Sequence, residues 1–235
     1  PRASGNKESG LMDCRNNVIY NWGFNSAYGG EVWPRNWVNN YYKAGPATDP
    51  KVRHRIFIQK DPRGRMFADG NYVEGFPDIT KNNWSGGIDF SPEGEASEST
   101  LKAAEPYVVA PVRAQSAAEA FNLVLDHAGA SKSRDAVDAR IVDEIRTGTA
   151  KFGTTWGGGR KGIIDSPSDV GGWPELRSSP ATPDSDGDGM PDDWETPNGL
   201  NPENESDGSM DQDSDGYTNL EEYLNSLAPS VYAAE

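Results

Sequence analysis

One stretch of this chain says the same thing twice. Arg15-Asn16-Asn17-Val18-Ile19-Tyr20 returns as Val38-Asn39-Asn40-Tyr41-Tyr42-Lys43, and more loosely as Asp69-Gly70-Asn71-Tyr72-Val73-Glu74. Asn17 and Asn40 are 23 residues apart and Asn40 and Asn71 are 31 apart, a repeat length that suits one coil of a stacked solenoid. Each copy is predicted to be a short strand, because β-branched and aromatic residues favour a pleated, half-buried surface. The glycines that close the copies (Gly23, Gly45, Gly75) permit a tight turn into the next side of the coil. An asparagine recurring at one point of each coil can stack on its neighbours above and below, its amide bonding backbone groups inside the turn. The pattern predicts a mainly β fold, wound as a parallel β-helix. An antiparallel sandwich would place strands about every 8–12 residues with hairpin signals between them. These copies are two to three times further apart.

The 235 residues suffice for one elongated domain with a small appendage. A 34% hydrophobic content, with 26 Gly and 17 Pro, fits a loop-rich solenoid better than a helical bundle. No apolar run approaches the roughly 20 residues that span a bilayer, so no membrane anchor is expected. The opening Pro1-Arg2, without an initiating Met, suggests a piece of a longer product. A single cysteine, Cys14, allows no internal disulfide and reads as a small buried residue beside a strand.

The net charge of −15 is unevenly spread. Residues 1–75 carry 11 Lys/Arg against 7 Asp/Glu, residues 76–183 carry 11 against 15, and residues 184–222 carry none against 14. The basic part can attract a polyanion, while the acidic part needs cations to become compact. Nucleic acid is a poor fit, because the acidic segment would repel phosphate.

Gly23–Glu31 is a turn-forming loop with two aromatics, Phe24 and Tyr28, that could end a coil or line a sugar groove. Lys51–Ile58 alternates basic and apolar residues at the period of a strand with one wet face. Arg53 and Arg55 would share that face, where guanidinium groups match carboxylates bidentately. His54 would then fall on the opposite face as a packed residue.

The stretch from Arg15 to Glu31, with Val38 to Thr48, resembles bacterial secreted pectate lyases, polysaccharide lyases built on a right-handed parallel β-helix. The resemblance runs from Pro1 to about Leu176. It implies a calcium ion bridging enzyme carboxylates and the uronate of an acidic polysaccharide, an arginine that removes the C5 proton, and β-elimination of the glycosidic bond. It also implies that the calcium-binding aspartates and the catalytic arginine lie upstream of Pro1, so no catalytic residue is assigned here. Arg2 then corresponds to a substrate-gripping arginine, and the chain alone is expected to be inactive. Arg2, Lys43, Arg53 and Arg55 are the expected contacts to pectate, and the N-terminal part of the same enzyme is an expected partner.

Ser116-Ala-Ala-Glu119 is a capping box. Ala120, Phe121, Val124, Leu125 and Ala128 follow on one helical face, with Gly129 at the end. A second helix after Ser133 carries Val137, Ile141 and Ile145 before Gly148. Both would cover apolar coil surface. Thr147–Thr149 and Gly162–Ser166, with Asp169–Pro174, also resemble the C-terminal extension of those lyases, and Trp156 and Trp173 would pack over the coil or stack on sugar.

Two calcium loops follow. Asp184, Asp186, Asp188, Met190 (through its carbonyl), Asp192 and Glu195 occupy positions 1, 3, 5, 7, 9 and 12, with Gly189 at the sharp sixth position. Asp211, Asp213, Asp215, Tyr217 (through its carbonyl), Asn219 and Glu222 repeat the arrangement, with Gly216 at the turn. A merely acidic disordered tail has no reason to keep both glycines and both closing glutamates in register. This EF-hand-like pair is irregular, since Pro191 lacks an amide and Pro197 cuts short the first exit helix. Only Leu220–Leu227 reads as a helix. The segment resembles thrombospondin type 3 or dockerin-like loops of secreted bacterial enzymes. Structural calcium, surface attachment and protein docking are the roles open to it.

The expected organisation is coils over 1–90, a helical extension over 91–176, a linker over 177–183, the calcium-loop pair over 184–228 and a tail over 229–235. The expected protein is extracellular and is the C-terminal part of a pectate lyase with a Ca2+ module. The alternative is a non-catalytic, calcium-binding solenoid that binds acidic glycan or assembles with partner subunits.

Overall fold

The structure is a computed structural model that describes residues 10–29, 32–131, 133–155, 159, 161–176 and 178–227. Arg2 and Trp156 lie outside the described residues. The chain divides into two compact units, one of Pro1–Gly129 with Asp135–Pro174 and one of Ala130–Arg134 with Glu175–Glu235.

The larger unit holds eight described strands: β1 (Met12–Arg15), β2 (Val18–Tyr20), β3 (Pro34–Val38), β4 (Tyr41–Lys43), β5 (Phe57–Gln59), β6 (Arg65–Asp69), β7 (Tyr72–Val73) and β8 (Ile88–Phe90). They form three small sheets in the orders β1-β3-β6, β2-β4-β7 and β5-β8. Every pairing among these strands is parallel. The registers Cys14↔Trp37↔Ala68 and Val18↔Tyr41↔Tyr72 reproduce the spacings of 23 and 31 residues seen in the sequence. Parallel pairing rules out hairpins between the copies.

Each copy is two strands and a corner, where the sequence suggested one strand. β1, β3 and β6 end at Arg15, Val38 and Asp69, and the next residue takes a left-handed conformation: Asn16 at φ 57°, Asn39 at φ 54° and Gly70 at φ 67°. Asparagine tolerates that region better than other residues with a Cβ, which explains the paired asparagines. In the third copy the Asn39 carboxamide lies where a Cβ on residue 70 would sit, so glycine is required. Of the three closing glycines, only Gly75 has a positive φ, at 85°.

The second residue of each corner carries the stacking predicted for it. Asn17 Nδ2 donates to Asn40 Oδ1 at 2.9 Å, and Asn40 Nδ2 donates to Asn71 Oδ1 at 2.8 Å. The ladder continues one step further than predicted, from Asn71 Nδ2 to Asn83 Oδ1 at 2.8 Å.

Inside lie Trp22, Trp37, Tyr42, Ile56, Phe57, Met66, Val73, Ile88 and Leu101. Trp37 Nε1 donates to the Tyr42 hydroxyl at 2.5 Å, so both buried polar tips are satisfied. Arg35 is also fully buried, its guanidinium over the Phe57 ring and its Nη1 donating to the Gly29 carbonyl at 3.0 Å. Its hydrocarbon stem and planar head suit such a place better than a lysine would.

Helices α1 (Pro77–Lys81) and α2 (Glu98–Leu101) are short. Helix α3 (Ala117–His127) starts from the predicted capping box, Ser116 Oγ accepting from the Glu119 amide while the Glu119 carboxylate accepts from the Ser116 amide. It packs on the β2-β4-β7 sheet, with the Phe121 ring 4.3 Å from that of Tyr41. Ala128 is extended, ending the helix before the predicted apolar stripe does. Helix α4 (Ala136–Thr147) is capped by Asp135 and stopped by Gly148, but none of its residues is fully buried.

Three further local expectations fail. Lys51–Ile58 is not one strand: Asp49 accepts from the Lys51 amide and caps a 3-10 turn over Pro50–Val52, and only Phe57–Gln59 is extended. Local turn chemistry beats the two-residue alternation. His54 is not on a face opposite the arginines, because both His54 and Arg55 reach the Asp89 carboxylate. Trp173 does not pack over the coil and is 84% exposed.

The smaller unit contains helices α5 (Asp192–Glu195) and α6 (Asn219–Leu227). A 3-10 turn with Pro197 inside it follows α5 and ends at Gly199. No helix among the described residues is long and apolar enough to cross a membrane.

Candidate functional site

The two acidic loops fold by the same internal rules. At position 1, Asp184 accepts from the Gly189 amide at 3.1 Å and Asp211 accepts from the Gly216 amide at 3.0 Å. At position 5, Asp188 accepts from Met190 and Asp215 from Tyr217, at 2.8 and 2.9 Å. At position 9, Asp192 accepts from the Ser185 amide and Asn219 from that of Gln212. The amide of position 9 closes each loop on the carbonyl preceding position 1, Asp192 on Pro183 and Asn219 on Met210. The sixth-position glycines have φ values of 98° and 101°, a region that L side chains rarely enter.

These bonds use some carboxylate oxygens to hold the loop and leave others turned inward. Ligand atoms of Asp184, Asp186 and Asp188 lie within 4.8 Å of one another, as do those of Asp211, Asp213 and Asp215. The closing glutamates differ. Glu195 is completely buried and within 4.8 Å of Asp188, whereas Glu222 is outside the second cluster and lines a shallow cavity with Trp194, Leu200, Gln212 and Asp213. The Asp192 carboxylate turns back to the amide and hydroxyl of Ser185 and belongs to no cluster. The side chains of Met190 and Tyr217 differ too, Met190 being fully buried and Tyr217 half-exposed.

Both Glu195 oxygens, with one oxygen each of Asp186 and Asp188, are buried with no hydrogen-bond donor among the described residues. Burial, together with the charges of Asp186, Asp188, Asp207 and Asp192, pushes the Glu195 carboxyl up to about 7. Burial raises Asp188 as well. Carboxylate oxygens converging without donors are what a hard cation such as calcium requires, so the donor set fits that ion.

One member of this cluster was not foreseen. Asp207 is buried, within 4.8 Å of Asp188 and Glu195, and sits in a 3-10 turn between the loops. It has no place in a twelve-residue ligand count. Its only sequence mark is the following Gly208, whose missing Cβ lets the turn approach the Asp188 carboxylate.

The described basic residues expected to meet a polyanion, Lys43, Arg53 and Arg55, have different surroundings. Lys43 Nζ donates to the Arg146 carbonyl at 3.1 Å, lies 3.7 Å from Glu74 and faces the Phe121 ring. Arg55 pairs with Asp89 at 2.5 Å and Asn25 at 2.7 Å. Arg53 is exposed. Phe24 and Tyr28 are exposed neighbours with ring centroids 6.5 Å apart.

No family model matches the chain. It is 35% identical over 231 residues to an Aspergillus flavus protein named "Probable pectate lyase C", covering 97% of this chain and 51% of that protein. Proteins of the same name from Aspergillus terreus and Aspergillus fumigatus are 34% and 32% identical, each over 96% of this chain and 51% and 50% of their own length. These relatives are fungal and do not support the bacterial origin that the sequence resemblance implies. The chain spans about half the length of the curated relatives it matches. Over nearly its whole length, calcium-like loops included, this chain is similar to half of a fungal protein named as a pectate lyase.

Proposed function

We propose that this chain is the C-terminal part of a secreted, extracellular pectate lyase that cleaves polygalacturonate by calcium-assisted β-elimination. The observation that carries this is the 35% identity over 97% of the chain to a protein of that name, with the parallel registers and asparagine ladder beside it. On this reading the stacked sheets are coils of a right-handed parallel β-helix, α3 and α4 belong to an extension over 91–176, and residues 184–228 form an EF-hand-like calcium module beyond a linker at 177–183. The catalytic arginine and the calcium-binding aspartates are contributed by the N-terminal part of the enzyme. Calcium bound at the substrate stabilises the enolate-like charge that develops when C5 loses its proton.

This chain's own contribution to substrate is electrostatic and positional. Arg53, exposed, offers a bidentate partner to a uronate, and Arg2 is a second contact. Lys43 and Arg55 act less directly, since each already holds protein groups. In the module, Asp184, Asp186, Asp188, the Met190 carbonyl and Glu195 hold one calcium ion. Asp211, Asp213, Asp215, the Tyr217 carbonyl and Glu222 hold a second, with Asp192 and Asn219 supporting at position 9.

The test is absorbance of unsaturated uronide ends. The complete coding product, with calcium and polygalacturonate across alkaline pH, is expected to generate them, and the 235-residue chain alone is not. A complete, folded product that generates none overturns the lyase assignment.

A further inference from the structure

We propose that Asp207, which belongs to neither twelve-residue loop, is a ligand of the first-loop cation beside Asp186, Asp188 and Glu195, so that one ion fastens the connector to the first loop. The inference rests on the reading that this loop binds an oxygen-preferring divalent cation of calcium's size, and it adds a ligand that the loop pattern does not contain.

Three independent features place Asp207 there. Its Oδ1 is buried with no donor among the described residues, in a residue only 6% exposed, and its ligand atom lies within 4.8 Å of those of Asp188 and Glu195. Glu195 is 0% exposed with both oxygens unpartnered, so the cluster is not a set of solvated surface acids. Three carboxylates held this close and this dry repel one another strongly unless a cation neutralises them.

The second feature is how firmly Asp207 is held. Its Oδ2 accepts from the Asn201 amide at 3.0 Å, and its carbonyl accepts from the Met210 amide at 3.0 Å. One carboxylate oxygen is thus used to orient the side chain and the other is left facing the cluster. That division matches the one at Asp188, whose Oδ1 holds the Met190 amide while Oδ2 stays unpartnered. The third feature is Gly208, where a Cβ would stand 2.5 Å from Asp188 Oδ2. Only a residue without a side chain lets the turn come this near.

A sixth carboxylate-bearing residue outside the loop changes what the ion does. Twelve-residue loops gather ligands from contiguous chain, so their ion stabilises that loop alone. An Asp207 ligand closes a segment running from Asp188 to Asp207, and the bound ion then constrains the α5 turn and the connector together. The same residue's carbonyl accepts from Asn219 Nδ2 at 2.7 Å, and Asn219 is the ninth position of the second loop. Filling either loop therefore steadies the other, because the coupling through this bond is reciprocal.

The experiment is calorimetric titration of the full chain with calcium chloride, comparing wild type with Asp207→Asn, Asp188→Asn and Glu205→Gln, the last being an exposed acid of the same connector. Asn at 207 keeps an acceptor for Asn201 while removing the charge. Asp207→Asn is expected to weaken the same class of site that Asp188→Asn weakens, at least tenfold, while Glu205→Gln changes it less than twofold. If Asp188→Asn weakens binding and Asp207→Asn does not, Asp207 is not a ligand and the loop reading stands. If wild type takes up no calcium, the loop reading itself fails. Should Asp207→Asn not fold even in excess calcium, carboxyl 13C NMR of the wild-type chain decides. An Asp207 carboxyl resonance that shifts together with that of Glu195 as calcium is added supports the assignment, and one that stays fixed overturns it.

Discussion

Asn40 and Asn71 are joined twice, the Asn71 side-chain oxygen accepting from both the backbone amide of Asn40 at 3.0 Å and its carboxamide nitrogen at 2.8 Å. Both residues are fully buried. Substituting Asn71 by Ala takes the acceptor from the buried Asn40 amide and one of the two acceptors from its carboxamide, which keeps the Cys14 carbonyl at 3.0 Å, a loss of about 2–4 kcal/mol. Asn17, at the exposed end of the ladder, has water as a substitute, so Asn17→Ala should cost about 1 kcal/mol. Urea unfolding followed by far-UV circular dichroism measures both, and equal losses at the two positions would contradict the ladder's role.

At Gly70 two penalties coincide, since the backbone has φ 67° and the Asn39 carboxamide occupies the place of a Cβ. Gly70→Ala is expected to cost about 2–3 kcal/mol. Adding Asn39→Gly should return part of that loss by clearing the contact, leaving the conformational penalty in place. A double-mutant cycle in urea checks this, with a coupling of about 0.5 kcal/mol or more as the expected sign of contact.

Arg53 and Arg55 are neighbours with opposite roles. Arg55 holds Asp89 and Asn25, so Arg55→Ala should cost about 1–3 kcal/mol by leaving a half-buried carboxylate with only His54, 3.5 Å away, as a partner. Arg53→Ala should leave thermal stability within about 0.5 kcal/mol and weaken retention on immobilised polygalacturonate. An Arg55→Ala chain as stable as wild type would show that the Asp89 pair is unimportant.

Burial holds the Cys14 thiol up to about 11, well above its ordinary value. The thiolate is the reactive form, so iodoacetamide should label the folded chain about a hundred times more slowly at pH 8 than the same chain in urea. Because folding raises this acid's pKa, its contribution to stability is intact at neutral pH. It declines as pH climbs from about 9 toward 11. Fast labelling of the folded chain at pH 8 would contradict the buried environment.

The two acidic loops should bind about two calcium ions per chain in calorimetry. Asp184→Ala with Asp211→Ala removes position 1 from both and should abolish uptake. Chelation of the wild-type chain should lower the thermal midpoint of the smaller unit and leave that of the strand unit unchanged. Unchanged uptake in the double variant would refute the ligand assignment.

Much of this architecture was legible along the chain because its determinants repeat. A shift of 23 and then 31 residues brings like onto like, and the registers Val18↔Tyr41↔Tyr72 follow that shift without adjustment. The capping box at Ser116 and the loop pattern from Asp184 are equally local, each specified within a dozen residues. What resisted reading was decided by partners distant in sequence. The Lys51–Ile58 alternation gave way to the Asp49 cap, and Arg55 turned to Asp89, 34 residues on. Asn83 joined the ladder across 12 residues, and Asp207 met Asp188 across 19 through a turn with no motif. Periodicity and spacing therefore determined the parallel stacking and the loops. Which charges are used up inside the protein, and which lone acid completes a cluster, depended on tertiary contacts, because desolvation and pairing arise only when separate segments close on one point.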